Sequence, residues 1–228
     1  MAVVLLPYSP QHYDSLPPVI QAGRNAEPSG AIDALSSVIG PIFVKHGVHN
    51  ELGIILLHNH FELGASELLV QFGNAAVPWE TSGNSSGLEH VLPAAWRFVD
   101  DGLAPYEFIY AKNHQTAVPI LTQERHGGFL EDLRAVLEER ALLSVLGLCL
   151  LENKDITAPA MFEVESGRST ITVDVDINPQ KEDWFIHVIW QFGTSTDEAG
   201  MPVLFKKHKV SYKAQGENHK DRHLTTKK

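Results

Sequence analysis

Cysteine is almost absent from this chain: of 228 residues, Cys149 alone carries a thiol. That excludes an internal disulfide. Cys149 lies inside the apolar run LGLCLL, where it reads as a small buried hydrophobe, and a reducing, cytoplasmic setting is expected. Long hydrophobic runs are also missing. The opening MAVVLLPYSP has no basic stretch, and Pro7 interrupts its apolar residues, so neither a secretory signal nor a membrane span is predicted. No P-loop, GxGxxG, GxSxG or CxxC pattern occurs. Nucleotide binding and nucleophilic serine or cysteine chemistry therefore have no sequence support. Basic charge is scarce over most of the chain. The net charge is −10, yet residues 205–228 hold eight basic against two acidic residues, which leaves −16 for the rest. An acidic body argues against phosphate-backbone binding, so no nucleic-acid partner is expected.

What is present reads as an α+β domain with a mostly antiparallel sheet and two main helices. Residues 1–28 hold five prolines and no clear period, and are expected to form an extended N-terminal arm. Residues 29–214 are expected to form a single domain, followed by a flexible basic tail over 215–228. Within the domain, AIDALSSVIG has helical spacing after a capping Ser29, and Pro41 predicts an end or kink near Gly40. GGFLEDLRAVLEERALL carries an apolar stripe of Leu130, Leu133, Val136, Leu137 and Leu142. The segments LGIILL and LGLCLL are apolar on both faces, which marks central, buried strands. Residues 80–95 read as a polar loop. MFEVESGRSTITVDVDI reads as a hairpin turning at Ser166-Gly167. Phe162 and Val164 alternate there with Glu163 and Glu165, and Asp174 and Asp176 lie on its polar, solvated face.

LGIILLHN at 52–59 and LGLCLLEN at 146–153 share one pattern, each after a helix and before a strand. This predicts a duplicated helix–strand–strand unit, with pseudo-repeats over about 29–111 and 127–193. In that alignment Glu152 is the counterpart of His58.

The chemistry concentrates in LLHNHFEL. If the strand runs through residues 54–60, His58 and His60 project from one face, a good start for a transition-metal site holding Zn or Fe. A third ligand is required. Glu62, Glu67, His46, His49 and His187 are candidates, and the repeat nominates Glu152. His58, His60, Glu152 and His187 are the expected catalytic set, with His58, His60 and Glu152 as metal ligands, around a small-molecule ligand. Histidine acid–base chemistry without metal is the other enzymatic reading. The rival class is a non-catalytic interaction protein that binds a partner through a sheet edge or the basic C-terminal tail.

The letters HNH do not make an HNH nuclease, whose three residues are spread over a hairpin and a helix. Gly53, His58, His60, Glu67 and Gly73 are similar in outline to the first cupin motif. The Gly-to-His gap is one residue short, the His-to-Glu gap is too long, and no second cupin motif follows, so a cupin barrel is not expected. LLHNHF together with PYEF at 105–108 resembles proteins of filamentous fungi to which no activity is attached. The resemblance implies a source and no mechanism.

Overall fold

The computed structural model describes residues 2–82, 87–100, 102–111, 120–151, 161–174, 185–193, 195–196, 202–203 and 206–212. In chain order the elements are β1 (Val4–Leu5), α1 (Pro10–Asp14), α2 (Val19–Ala26), α3 (Ala31–Ala34), a π-helical turn (Leu35–Ile39), α4 (Gly40–Lys45), β2 (Leu52–Leu56), β3 (Glu67–Phe72), β4 (Ala75–Glu80), a 3₁₀ turn (Leu88–His90), β5 (Val91–Val99), β6 (Gly102–Tyr110), α5 (Gln123–Glu139), β7 (Leu146–Leu150), β8 (Met161–Glu165), β9 (Thr170–Asp174), β10 (Phe185–Gln191), β11 (Ser195–Thr196), β12 (Pro202–Val203) and β13 (Lys206–Tyr212).

The sheet runs β1-β6-β3-β4-β9-β8-β13-β10-β2-β7-β5, and β5 pairs again with β6. That last pairing closes ten strands into a ring, with β1 as a short addition to β6. β3–β6 and β8–β13 are parallel; the other eight junctions of the ring are antiparallel. The fold is α+β with a mostly antiparallel sheet, as the sequence predicts. Closure is not foreseen by the sequence pattern. It abolishes most exposed strand edges and creates an inside and an outside.

The two sides explain why LGIIL and LGLCL are apolar throughout. β2 and β7 lie side by side, with Leu52 opposite Leu150 and Leu56 opposite Leu146. Leu52, Ile54, Leu56, Leu146, Leu148 and Leu150 face outward into a core shared with α2 to α5. Ile55 and Cys149 face inward, and join Leu69, Ala95, Tyr106 and Ile189 from other strands of the ring. The inner face is crowded at Gly147: a Cβ there would lie 2.5 Å from the Trp96 carbonyl and 2.7 Å from Leu57 Cδ2.

Residues 1–28 are not the extended arm that proline content predicts. They form β1, α1 and α2, and Tyr13 and Leu16 of this region enter the ring interior. Prolines fit at helix starts, and Pro10 and Pro18 occupy or precede first turns. The kink near Gly40 is a π-turn. Gly40 N–H donates to the Leu35 carbonyl, one residue beyond α register, and Pro41, which has no N–H to donate, falls in the first turn of α4. Residues 80–95 are less loop-like than expected, since β4 ends at Glu80 and β5 starts at Val91. α5 is capped by Thr122, whose hydroxyl accepts from Arg125 N–H at 3.3 Å, and buries Phe129, Leu130, Leu133 and Leu137. No helix among the described residues is long and apolar enough to cross a membrane. The tail from 215 lies outside the described residues.

Candidate metal centre

β2 ends at Leu56, so His58 and His60 lie just past the strand rather than within it. The chain stays extended because Asn59 is pinned to the α1–α2 linker. Asn59 N–H donates to the Pro17 carbonyl at 2.9 Å, and its amide donates to the Leu16 carbonyl at 2.8 Å. Both histidine rings therefore turn inward together, 4.7 Å apart between centroids and at 83°. His58 is 2% exposed and the His60 side chain 4%.

Opposite them stands the β8–β9 hairpin, in the reverse of the orientation its apolar residues suggest. Glu163 is 5% exposed and Thr170 2%, whereas Val164 is 41% and Ile171 39% exposed. The polar face of the hairpin points into the ring. The reason is pairing: a buried carboxylate needs a cationic or hydrogen-bonding partner, and His60 supplies it. Glu163 Oε2 lies 3.4 Å from His60 Nε2, and His60 Nδ1 contacts Glu165 Oε1 at 2.9 Å. Burial opposes the charged ring. The charge of Glu163 and the hydrogen bond to Glu165 outweigh it, so the pKa of His60 is raised.

The hydrogen bonds fix which ring nitrogen faces the centre. A carbonyl can only accept, so His58 Nδ1–H donates to the Leu56 carbonyl at 2.7 Å, and in the neutral ring the lone pair is on Nε2. The Glu165 carboxyl oxygen takes the same place behind His60 Nδ1, at 2.9 Å. Each histidine thus has an acceptor behind Nδ1 and presents Nε2, the arrangement that orients metal-bound imidazoles. One ligand atom from each of His58, His60 and Glu163 lies within 4.8 Å of the other two. Three ligands on one tetrahedral ion are separated by about 3.3 Å, given metal–ligand bonds of about 2.0–2.1 Å. A contraction of about 1.5 Å at the widest pair suffices. The cluster is close enough to bind a metal ion.

Tyr13, on α1, completes the floor. Its hydroxyl oxygen accepts the His60 backbone N–H at 3.1 Å. Burial holds the phenol above its ordinary pKa, against that hydrogen bond, so it stays protonated and keeps a proton to donate. Tyr106 is likewise buried and held well above its ordinary value. The register of β5 against β6 slips on either side of Ala95, where Glu107 stands opposite, beside Tyr106. Bulges of this kind re-aim side chains.

Of the residues nominated from sequence, His58 and His60 come together as expected. Glu152 lies outside the described residues. His187 is half-buried on β10 and is not part of the three-ligand group. Glu67, which the cupin comparison would place on the histidines, is bound instead by Arg168, which holds its carboxyl below the ordinary range. His46, a candidate ligand in the sequence, instead ends α4 and meets Asp132 at 2.8 Å, outside the three-ligand group. Glu163 was not among the sequence candidates. Its available signal was the spacing Glu163-x-Glu165, the same i, i+2 interval as His58-x-His60.

No family model, no curated protein and no solved structure matches this chain. The functional reading therefore rests on the geometry alone.

Proposed function

We propose that His58, His60 and Glu163 hold one divalent transition metal, zinc or iron, and that the protein is a metal-dependent enzyme acting on a small molecule inside the barrel end. The observation that carries this reading is the state of the two Nδ1 atoms. Each has an acceptor behind it, which leaves Nε2 to bind; His60 Nε2 lies 3.4 Å from Glu163, and a ligand atom of His58 lies within 4.8 Å of both. Two imidazoles and one carboxylate suit zinc with an open position, or iron in a two-histidine, one-carboxylate set. When bound, the metal would supply Lewis acidity to a substrate oxygen or to water. Glu165 would fix the His60 ring and its tautomer. Tyr13 would hold the backbone of the His60 segment. The apolar residues around them, Leu57, Leu63 and Leu69, would exclude water.

Titrating chelator-treated protein with Zn²⁺ or Co²⁺ tests the reading. One equivalent should bind to the wild type, and His58→Ala, His60→Ala and Glu163→Gln should each weaken binding by about tenfold or more. Stoichiometric binding unchanged by all three would place the metal elsewhere and remove the proposal.

One observation favours the non-catalytic class as a second reading. Phe72, Ala75, Ile171 and Val164 form one cross-strand row on the outside of β3, β4, β9 and β8, and three of them are exposed. Such a row suits a protein partner. We also propose a cytoplasmic protein of fungal source, on the lone buried thiol and the LLHNHF and PYEF resemblance.

A further inference from the structure

The segment 57–67 leaves β2, crosses the barrel end and returns as β3. Its inner side is tied to α1 and the linker that follows. Asn59 bonds Pro17 and Leu16, the His60 N–H donates to Tyr13 at 3.1 Å, and the Leu63 N–H donates to Asp14 Oδ1 at 3.2 Å. Its other side meets the β8–β9 hairpin along a seam. Inside the seam His60 faces Glu163 and Glu165. At the solvent edge the seam is closed by Arg168, on the hairpin turn. Arg168 Nη1 donates to Glu67 Oε1 at 3.1 Å, and Nη2 donates to Glu67 Oε2 and, at 3.0 Å, to the Glu62 carbonyl. The guanidinium also sits 5.9 Å from the centre of the Phe61 ring.

The ligand set straddles this seam. Two of its members, His58 and His60, belong to the segment, and Glu163 belongs to the hairpin. Parting the seam separates carboxylate from imidazoles and opens a route for an ion. The segment is held by its bonds to α1 and the linker, and the hairpin strands are held by β13 and β4, so the turn that carries Arg168 is the part of the seam left to move. We propose that Arg168 is a latch that sets the rate at which a metal ion enters and leaves the centre. This inference rests on the metal reading above. A fork-shaped guanidinium that grips one carboxylate twice and a carbonyl once suits such a role, because all three bonds break together when the turn swings away.

The test uses the full chain loaded with one equivalent of Zn²⁺ and mixed rapidly with excess chromophoric chelator. Wild type, Arg168→Ala and Lys45→Ala are compared. Lys45 makes an exposed ion pair with Asp132 on α5, away from the seam, and serves as the control. All three should bind one equivalent. Release from Arg168→Ala should be faster by about fivefold or more, and release from Lys45→Ala should match wild type. Release from Arg168→Ala at the wild-type rate would overturn the latch while leaving the centre intact. Wild-type protein that takes up no Zn²⁺ would overturn the centre and the latch with it, and would be seen before any rate is measured. Should Arg168→Ala lose cooperative unfolding, Glu67→Gln removes the other half of the grip and carries the same expectation.

Discussion

In the absence of metal, His60 should make the protein less stable as pH rises. Its ring is buried between Glu163 and Glu165, and its folded-state pKa is raised. The unfolded value is about 6.5. A raised folded pKa means that the native state holds a proton the unfolded chain has released. The stabilisation is therefore fully present below about pH 6.5 and is lost as pH climbs through the folded value. Between those two values one extra native proton gives a slope of at most about 1.4 kcal/mol per pH unit. Denaturant unfolding with chelator present, at pH 6, 7, 8 and 9, measures the slope. The chain has twelve histidines, so the informative quantity is the difference between wild type and His60→Asn. Wild type should fall more steeply than the variant from pH 6.5 upward. Glu163→Gln should lie between them, because burial then works against a ring held by Glu165 alone. Curves for wild type and His60→Asn that run parallel across this range would refute the ion-pair account of the interior.

Gly147→Ala should destabilise strongly, by about 2–4 kcal/mol, because the new Cβ meets the Trp96 carbonyl and Leu57 Cδ2 inside contact distance; wild-type thermal stability in this variant would contradict the packed inner face. Thr122→Ala should cost about 1 kcal/mol through loss of the α5 cap, read as a shift in urea midpoint with unchanged slope. Leu150→Asp should prevent soluble expression, since it would bury an unpaired carboxylate among the α5-side core, and a soluble, cooperatively folding product would argue against that placement.

The strands that the sequence revealed best are the ones whose two faces are both apolar. LGIIL and LGLCL need hydrophobes outward against the helices and inward against the barrel filling, so their composition announces burial without specifying neighbours. The histidine pair was legible because its spacing is local. Glu163 was not, for two reasons. It lies 103 residues from His60, brought near by a parallel β8–β13 junction that no local pattern encodes. It also sits in an alternating strand whose valine looks like the core residue, and the fold inverts that preference by facing Val164 outward and supplying His60 to the carboxylate. Ring closure was illegible for the same physical cause, since it depends on β5 accepting both β6 and β7. The N-terminal region misleads because prolines at helix starts resemble prolines in an extended arm.

The most direct test of the metal centre is anomalous diffraction from crystals of the protein soaked in Zn²⁺. The account predicts a single strong peak about 2.0–2.2 Å from His58 Nε2, His60 Nε2 and a Glu163 carboxylate oxygen, with Glu165 still bonded to His60 Nδ1. A metal peak confined to other residues, with His60 still paired to Glu163 and Glu165 and no ion between them, would contradict it.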